Sequence, residues 1–398
     1  MKDDRSAEDM SPAVAGGCED KRVITDTLLP LLRAVLTGGE VPSFTLTPEL
    51  IAFCTAQQLI GFLHHALRGR EETQCPELVA RVKKSYSLLV AQQVQQDYYR
   101  EQIFASLTAA GIPYLPLKGE ALRAVYPALD LRFSCDVDFF YPEEYRAEVD
   151  AILIESGFQR QKPEPHNDSY VLGVVHVEPH FALSDAEETC EKYYADIWSR
   201  LVAEDGTCYH FTPEDTYVYL LLHAYKHFVL GGAGIRSVAD AWLWKKAHPD
   251  MDGETLRKGY RELGMTRFVA QYERLGRVWF EGEPSDADMD ILTLYLCAGG
   301  AYGTLEQGAL MGLASRGRSK RMRFSYVFRR IFLPYRQLRL QYPILRTIPV
   351  LYPFCTVLRW FRVLFSKDRK HVRRDLSVAT GLNAEKAELA KQVWYLIH

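Results

Sequence analysis

The spacing of apolar residues changes twice along this chain, and those two changes constrain its fold more than any other feature. From Val23 to Ala109 apolar side chains recur every three or four residues, as in Leu28, Leu31, Leu32 and Val35 and again in Ile60, Leu63 and Leu67. This spacing predicts several helices before any strand. The run Glu77 to Ala110 is rich in helix formers and ends at Gly111, with Pro113 just beyond, an arrangement that caps a helix. At Pro113 the period shortens. Ile112 to Leu117 reads as an extended segment, Lys118-Gly119 opens a helical stretch to Tyr126, and Cys135 to Phe140 alternates as a strand does. A helix is expected from Pro142 to about Gly157, then strands over Phe158 to Gln161 and Tyr170 to Leu183. Beyond Asp185 the helical spacing returns almost to the C-terminus. Thr212 is an N-cap candidate, with Pro213 at the first helical position and Asp215 three residues after the cap, so a helix should run to about Leu230. Gly231 to Gly234 breaks the chain, and Ile235 to Ala247 begins another helix.

This order predicts an α+β fold: a small mixed sheet with helices on one face, a helical N-terminal segment and a helical C-terminal region. The expected divisions are a disordered lead-in at 1–21, a helical region at 22–110, an α+β core at 111–210, a helical domain completing a cleft at 211–310, and a basic, aromatic-rich helical region at 311–398. The lead-in has too few apolar side chains to offset the entropy of ordering it. At 398 residues and 47% hydrophobic content, the rest can bury a sizeable core. No apolar run approaches the roughly 20 residues that span a bilayer, and no secretory leader is evident, so a cytoplasmic protein is expected. The eight cysteines are scattered singly, without a Cys-x-x-Cys pair or a neighbouring His at zinc spacing, and read as reduced thiols.

Asp136 and Asp138 are separated by one residue on the expected strand, so both carboxylates point to one face while Val137 and Phe139 point to the other. Two such carboxylates repel unless a cation lies between them, and Mg²⁺ or Mn²⁺ with one or two carboxylates and substrate phosphates is the arrangement used in nucleotidyl transfer. An isolated Asp-x-Asp also fits a solvated strand face. In the later strand, His176, Glu178 and His180 share a face opposite Val175, Val177 and Phe181, so Glu178 offers a third carboxylate or a surface acid. Three acids suffice for a two-metal site.

The stretch Leu117-Lys-Gly-Glu-Ala-Leu122, then Tyr126-Pro127, Arg132 and Asp136-Val-Asp138, followed by Val177-Glu-Pro-His180 and His223-Ala-Tyr-Lys-His227 with Asp240 downstream, resembles a bacterial family of largely uncharacterised nucleotidyltransferases in the DNA polymerase β superfamily. That family carries Lys-Gly where other relatives carry Gly-Ser. The resemblance implies a polymerase-β-like core. It implies that Asp136 and Asp138 bind catalytic metal, that Glu178 is the third acid, and that Lys118 and Gly119 meet a nucleoside triphosphate. A glycine at a helix start would let backbone N–H groups approach an anion. Arg132 fits either a phosphate contact or an anchor for the loop before the strand. His180, Lys226 and His227 are further candidates for the nucleotide.

His223 and His227, four apart on one helical face, lack the intervening Glu of a zinc protease. They suit a helix face turned to the nucleotide, or histidines packed between helices. Asp240 could orient one of them or close a salt bridge. Near the C-terminus, Arg316 to Arg374 holds 17 Lys/Arg against one acid, while the whole chain has formal charge −3. Aromatics such as Phe324, Phe328, Trp360 and Phe361 interleave with these charges. The segment suits an acidic face of the same molecule, an RNA backbone, or an anionic membrane with Leu358, Trp360, Phe361, Leu364 and Phe365 inserted and Arg359, Arg362, Lys367 and Arg369 at the headgroups. The expected activity is metal-dependent transfer of a nucleoside monophosphate to an acceptor that is RNA, protein or a small molecule. The alternative is a non-catalytic nucleotide-binding scaffold at the inner membrane surface.

Overall fold

The structure, a computed structural model, describes residues 18–161, 166–183, 188–204, 206–301, 303–315, 344–365 and 384–398, together with residues 333, 335, 338 and 342. Residues 1–17 of the expected lead-in and most of the basic segment lie outside these residues, and the last four residues of that lead-in, 18–21, belong to a helix instead.

Helices α1 (Cys18–Thr37), α2 (Pro48–Ala56), α3 (Ile60–Leu67) and α4 (Pro76–Ala109) precede the first strand. Gly111 ends α4 at φ +68°, a left-handed position where glycine carries no Cβ penalty. The extended segment expected after it narrows to β1 (Leu115–Pro116), because Pro113 and Pro116 cannot donate to a ladder. Helix α5 (Gly119–Ala124) and β2 (Val137–Phe140) follow, so the strand expected from Cys135 begins two residues later. The helix expected from Pro142 starts as a 3₁₀ turn, Glu143–Tyr145, before α6 (Arg146–Glu155).

After β3 (Gln159–Arg160), the long strand expected from Tyr170 is instead a hairpin, β4 (Tyr170–Leu172) and β5 (Val175–His180). Gly173, at φ +61°, makes the reversal. The strands form a mixed sheet in the order β1-β2-β5-β4-β3. Strands β2 and β5 are parallel, and the other neighbours are antiparallel. One sheet face is apolar: Val137, Phe139, Val175 and Val177 pack on Ile103 and Leu107 of α4 and on Val149 and Leu153 of α6. The two-residue period then sends Asp138, Glu178 and His180 to the other face.

Helix α7 (Glu188–Tyr193) is followed by an additional hairpin, β6 (Val202–Ala203) and β7 (Tyr209–His210), where only helix was expected. Helix α8 (Pro213–Leu230) begins as predicted, with Thr212 Oγ1 accepting the Asp215 N–H at 3.1 Å. Helix α9 (Ile235–Ala247) follows the glycine break. Gly234 is required there by close approach, since a Cβ would lie 2.6 Å from the Ala301 backbone. Helices α10 (Gly253–Glu262), α11 (Thr266–Phe280), α12 (Ala287–Cys297) and α13 (Leu305–Ala314) complete the helical body. Helices α14 (Ile344–Thr347) and α15 (Tyr352–Phe365) come next, and α16 (Ala384–Ile397) returns to the main core through Val393 and Ile397. That core joins α1 to α3 with α8, α9, α11 and α12, and among its buried members are Phe53, Phe62, Phe228, Trp279 and Tyr295. No disulfide is present among the described residues. No described helix is long and apolar enough to cross a membrane.

Candidate active site

The parallel register of β2 and β5 sets Asp138 directly beside Glu178 and Phe140 beside His180. Neighbouring strands lie about 4.8 Å apart, so side chains paired on one face meet. Donor atoms of Asp138, Glu178 and His180 all lie within 4.8 Å of one another. Asp138 Oδ1 and His180 Nε2 face each other at 3.5 Å, and neither buried atom has a hydrogen-bond partner. Asn167 donates Nδ2–H to Glu178 Oε2 at 3.3 Å from the flank. Asp136, one residue before β2, lines the same cleft.

Lys118 caps α5 with a backbone that non-glycine residues rarely adopt, φ 52° and ψ −58°. The Gly119 N–H closes a tight three-residue turn onto Leu117 O at 2.6 Å, and the Leu117 N–H is held by Asp138 O at 2.9 Å. This turn is strained. It carries the Lys118 ammonium to within 3.2 Å of His223 Nε2, 3.8 Å of Asp138 Oδ2 and 5.6 Å of the Tyr219 ring centre. Because the Gly119 N–H is already used, the backbone donor expected for an anion there is engaged, and the cationic group at this corner is Lys118 itself.

Helix α8 forms the opposite wall with Tyr219, His223, Lys226 and His227, and α9 adds Arg236 and Asp240. Burial first, then the Lys118 charge, holds His223 well below the usual imidazole range, so at neutral pH its Nε2 can accept from the ammonium. Arg132 and Asp240 form a fork: Arg132 Nε donates to Oδ1 at 2.9 Å and Nη2 to Oδ2 at 3.3 Å. The Tyr126 hydroxyl donates to the same Oδ1 at 2.6 Å. Of the two uses read for Arg132, these contacts are those of a loop anchor, and Asp240 faces Arg132 rather than a histidine.

Several positioning residues carried no sequence signal. Gln93 Oε1 accepts the Ser134 N–H at 2.8 Å, and Gln96 Nε2 donates to Cys135 O at 2.7 Å, so α4 fixes the loop that delivers Asp136. Arg236 Nη1 holds Phe133 O at 2.8 Å. Helical spacing had singled out His223, but not its bond to Lys118.

The cleft encloses about 450 Å³, within the range that takes a small-molecule ligand. Burial first, and then the charge on Asp138, push the Asp136 carboxyl up to about 6. Burial acts upward on Asp138 too, but Lys118 and His180 outweigh it and hold that carboxyl below the usual carboxylate range. The acids thus form a like-charged group in which Asp138 Oδ1 lacks a hydrogen-bond partner, facing cationic side chains across a cleft. Their oxygen-rich donor set, with one imidazole, fits a hard divalent cation.

The described cysteines are free thiols, as read from the sequence, and one of them lies in a second donor cluster. Cys208 Sγ lies 3.7 Å from His210 Nε2, which lies 2.5 Å from Glu204 Oε2. The β6–β7 register gathers them, although Cys208 also packs in the core under the sheet.

The fold and this cleft define a class of α+β protein in which sheet carboxylates face cationic helix side chains. A family model described as uncharacterised nucleotidyltransferase matches residues 46–281, and the chain belongs to that family. Two solved structures are similar at 14% identity and a TM-score of 0.33. One is the solution structure of the antibiotic-resistance factor ANT(2'')-Ia, covering 46% of this chain and 97% of that one. The other is ANT(2'')-Ia in complex with adenylyl-2''-tobramycin, covering 43% of this chain and 97% of that one. A search of curated proteins gives no match.

Proposed function

We propose that this nucleotidyltransferase moves a nucleoside monophosphate from a nucleoside triphosphate to an acceptor hydroxyl in a reaction that depends on a divalent cation, Mg²⁺ or Mn²⁺. The observation that carries this reading is the β2–β5 register, which sets Asp138 against Glu178 opposite Lys118. Asp138 and Glu178, with Asp136 and His180 beside them, would hold the cation, whose charge would neutralise the phosphates and favour ionisation of the acceptor. The acceptor oxygen forms a bond to the α-phosphorus as the α–β bridging P–O bond breaks, and pyrophosphate leaves. The acceptor proton passes to a carboxylate of the acid group, with Asp136, which lines the same cleft, the candidate.

Lys118 is positioned for the departing phosphates, and neutral His223 orients its ammonium. Lys226 and His227 line the α8 wall along which the triphosphate would extend. Arg132 acts through position: its fork with Asp240 fixes the loop that leads to Asp136. Gly119 keeps the cleft wall low beside Ser134. Positioning and charge neutralisation supply most of the rate enhancement expected of such a site.

The test is incubation with each α-labelled nucleoside triphosphate, Mg²⁺ or Mn²⁺ and a cell lysate. A labelled product is expected from the native chain and none from Asp136→Asn with Asp138→Asn; equal labelling by both would defeat the reading.

A further inference from the structure

The nucleotide reading leaves one surface unused, and it lies on α15. One side of this helix rests on a small core of Leu338, Leu345 and Cys355. The opposite side presents Phe354, Val357, Leu358 and Phe361, and Val350 just before the helix is 85% exposed. Positions 354, 357, 358 and 361 follow helical spacing, so they form one stripe on α15, and Ile344, Ile348 and Val350 in the segment just before it are exposed as well. Soluble surfaces normally scatter single apolar residues; a contiguous set marks a contact. Of the face the sequence suggested, Leu358 and Phe361 are outward, Trp360 is half-buried, and the side chains of Leu364 and Phe365 fall outside the described set.

Beside the stripe, Arg362 is exposed and Arg359 half-buried, within the span 316–374 that holds 17 Lys/Arg against one acid. Helix α15 has 14 residues and does not qualify as a membrane-crossing helix. An apolar stripe flanked by cations on such a helix matches a bilayer surface: side chains enter the acyl boundary while guanidinium groups stay among phosphates.

We propose that this face docks the chain on an anionic lipid bilayer. RNA is a poorer fit, because most of the exposed apolar set, Ile344, Ile348, Val350, Val357 and Leu358, is aliphatic and only Phe354 and Phe361 could stack on a base. A second copy is poorer still, since a self-complementary contact would bring like charges together. The proposal does not depend on the nucleotide reading.

The full chain should co-sediment with vesicles of phosphatidylcholine and phosphatidylserine, less with phosphatidylcholine alone, and less again at high salt. Phe354→Ser with Phe361→Ser should weaken binding about tenfold or more. The two rings are 61% and 56% exposed, and a thermal melt of the variant checks that the fold is kept. Absence of binding to anionic vesicles, or equal binding by the variant, overturns the proposal. So does single-stranded RNA binding that outcompetes vesicles and ignores the double substitution. A dimer in sedimentation velocity that the substitutions dissolve, without vesicle binding, overturns it as well.

Discussion

Two buried charge clusters meet at the cleft, and they differ in completeness. In one, Asp240 receives two bonds from Arg132 and a third from Tyr126, so its charge is matched and its oxygens are satisfied. In the other, Asp138, Glu178 and His180 crowd together with Asp136 lining the same cleft, and Asp138 Oδ1 and His180 Nε2 are left without hydrogen-bond partners. The first is a closed structural device. The second is an arrangement that folding alone does not favour and that a bound cation would satisfy. Removing a group from the closed cluster should therefore cost stability, whereas removing one from the open cluster should cost activity and relieve strain.

The largest expected effect is at Asp136. Asp136→Asn should reduce nucleotidyl transfer about a thousandfold, measured as pyrophosphate release. The same change should stabilise the cation-free protein. A carboxyl pushed up to about 6 in the folded state binds its proton more tightly than in the unfolded chain. Its folding penalty is therefore absent below about pH 3.8 and complete above about 6, where neutral Asn removes it. Urea unfolding at neutral pH should show a gain on the order of 3 kcal/mol. A loss of stability would erase the contrast between the clusters.

Asp240→Ala should go the other way. It leaves the Arg132 guanidinium buried without its partner, at a cost of about 3–5 kcal/mol in the same unfolding measurement. Turnover per folded molecule should change less than about tenfold, because position rather than chemistry is lost. A milder effect follows from pH. Protonated Asp136 competes with a cation, so Mn²⁺ affinity should be level above about pH 6 and fall about tenfold per unit below it. Calorimetric titration across pH checks this, and Asp136→Asn should flatten the profile.

The smallest effect is at Gly119. An added Cβ meets only Ser134 Oγ at 3.5 Å, so Gly119→Ala should change stability by less than about 0.5 kcal/mol. Triphosphate affinity, read by fluorescence competition, should weaken about threefold because the methyl enters the cleft wall.

What could be read in advance was local chemistry. The cap at Thr212, the glycine end of α4 and the alternation along β5 each depend on a few adjacent residues. The opposed faces of Asp138 and Val137 follow from the two-residue period alone. What stayed hidden depends on residues far apart in sequence. The direct pairing of Asp138 with Glu178 is set by the crossover through α6, β3 and β4, and no short pattern encodes a parallel register. The hairpin β6–β7 has strands of two residues, too short to show a period. Gln93 and Gln96 look like ordinary helix formers until α4 lies under the loop at Ser134. The positive φ of Lys118 leaves no trace in composition, because glycine is the residue that would have announced it.

The most direct measurement is calorimetric titration of Mn²⁺ into the native chain and into Asp138→Asn with Glu178→Gln, each with a non-hydrolysable nucleoside triphosphate present. The account predicts saturable binding by the native chain that the double variant loses, although the variant remains folded. Mn²⁺ and triphosphate binding of equal affinity in both proteins would contradict it.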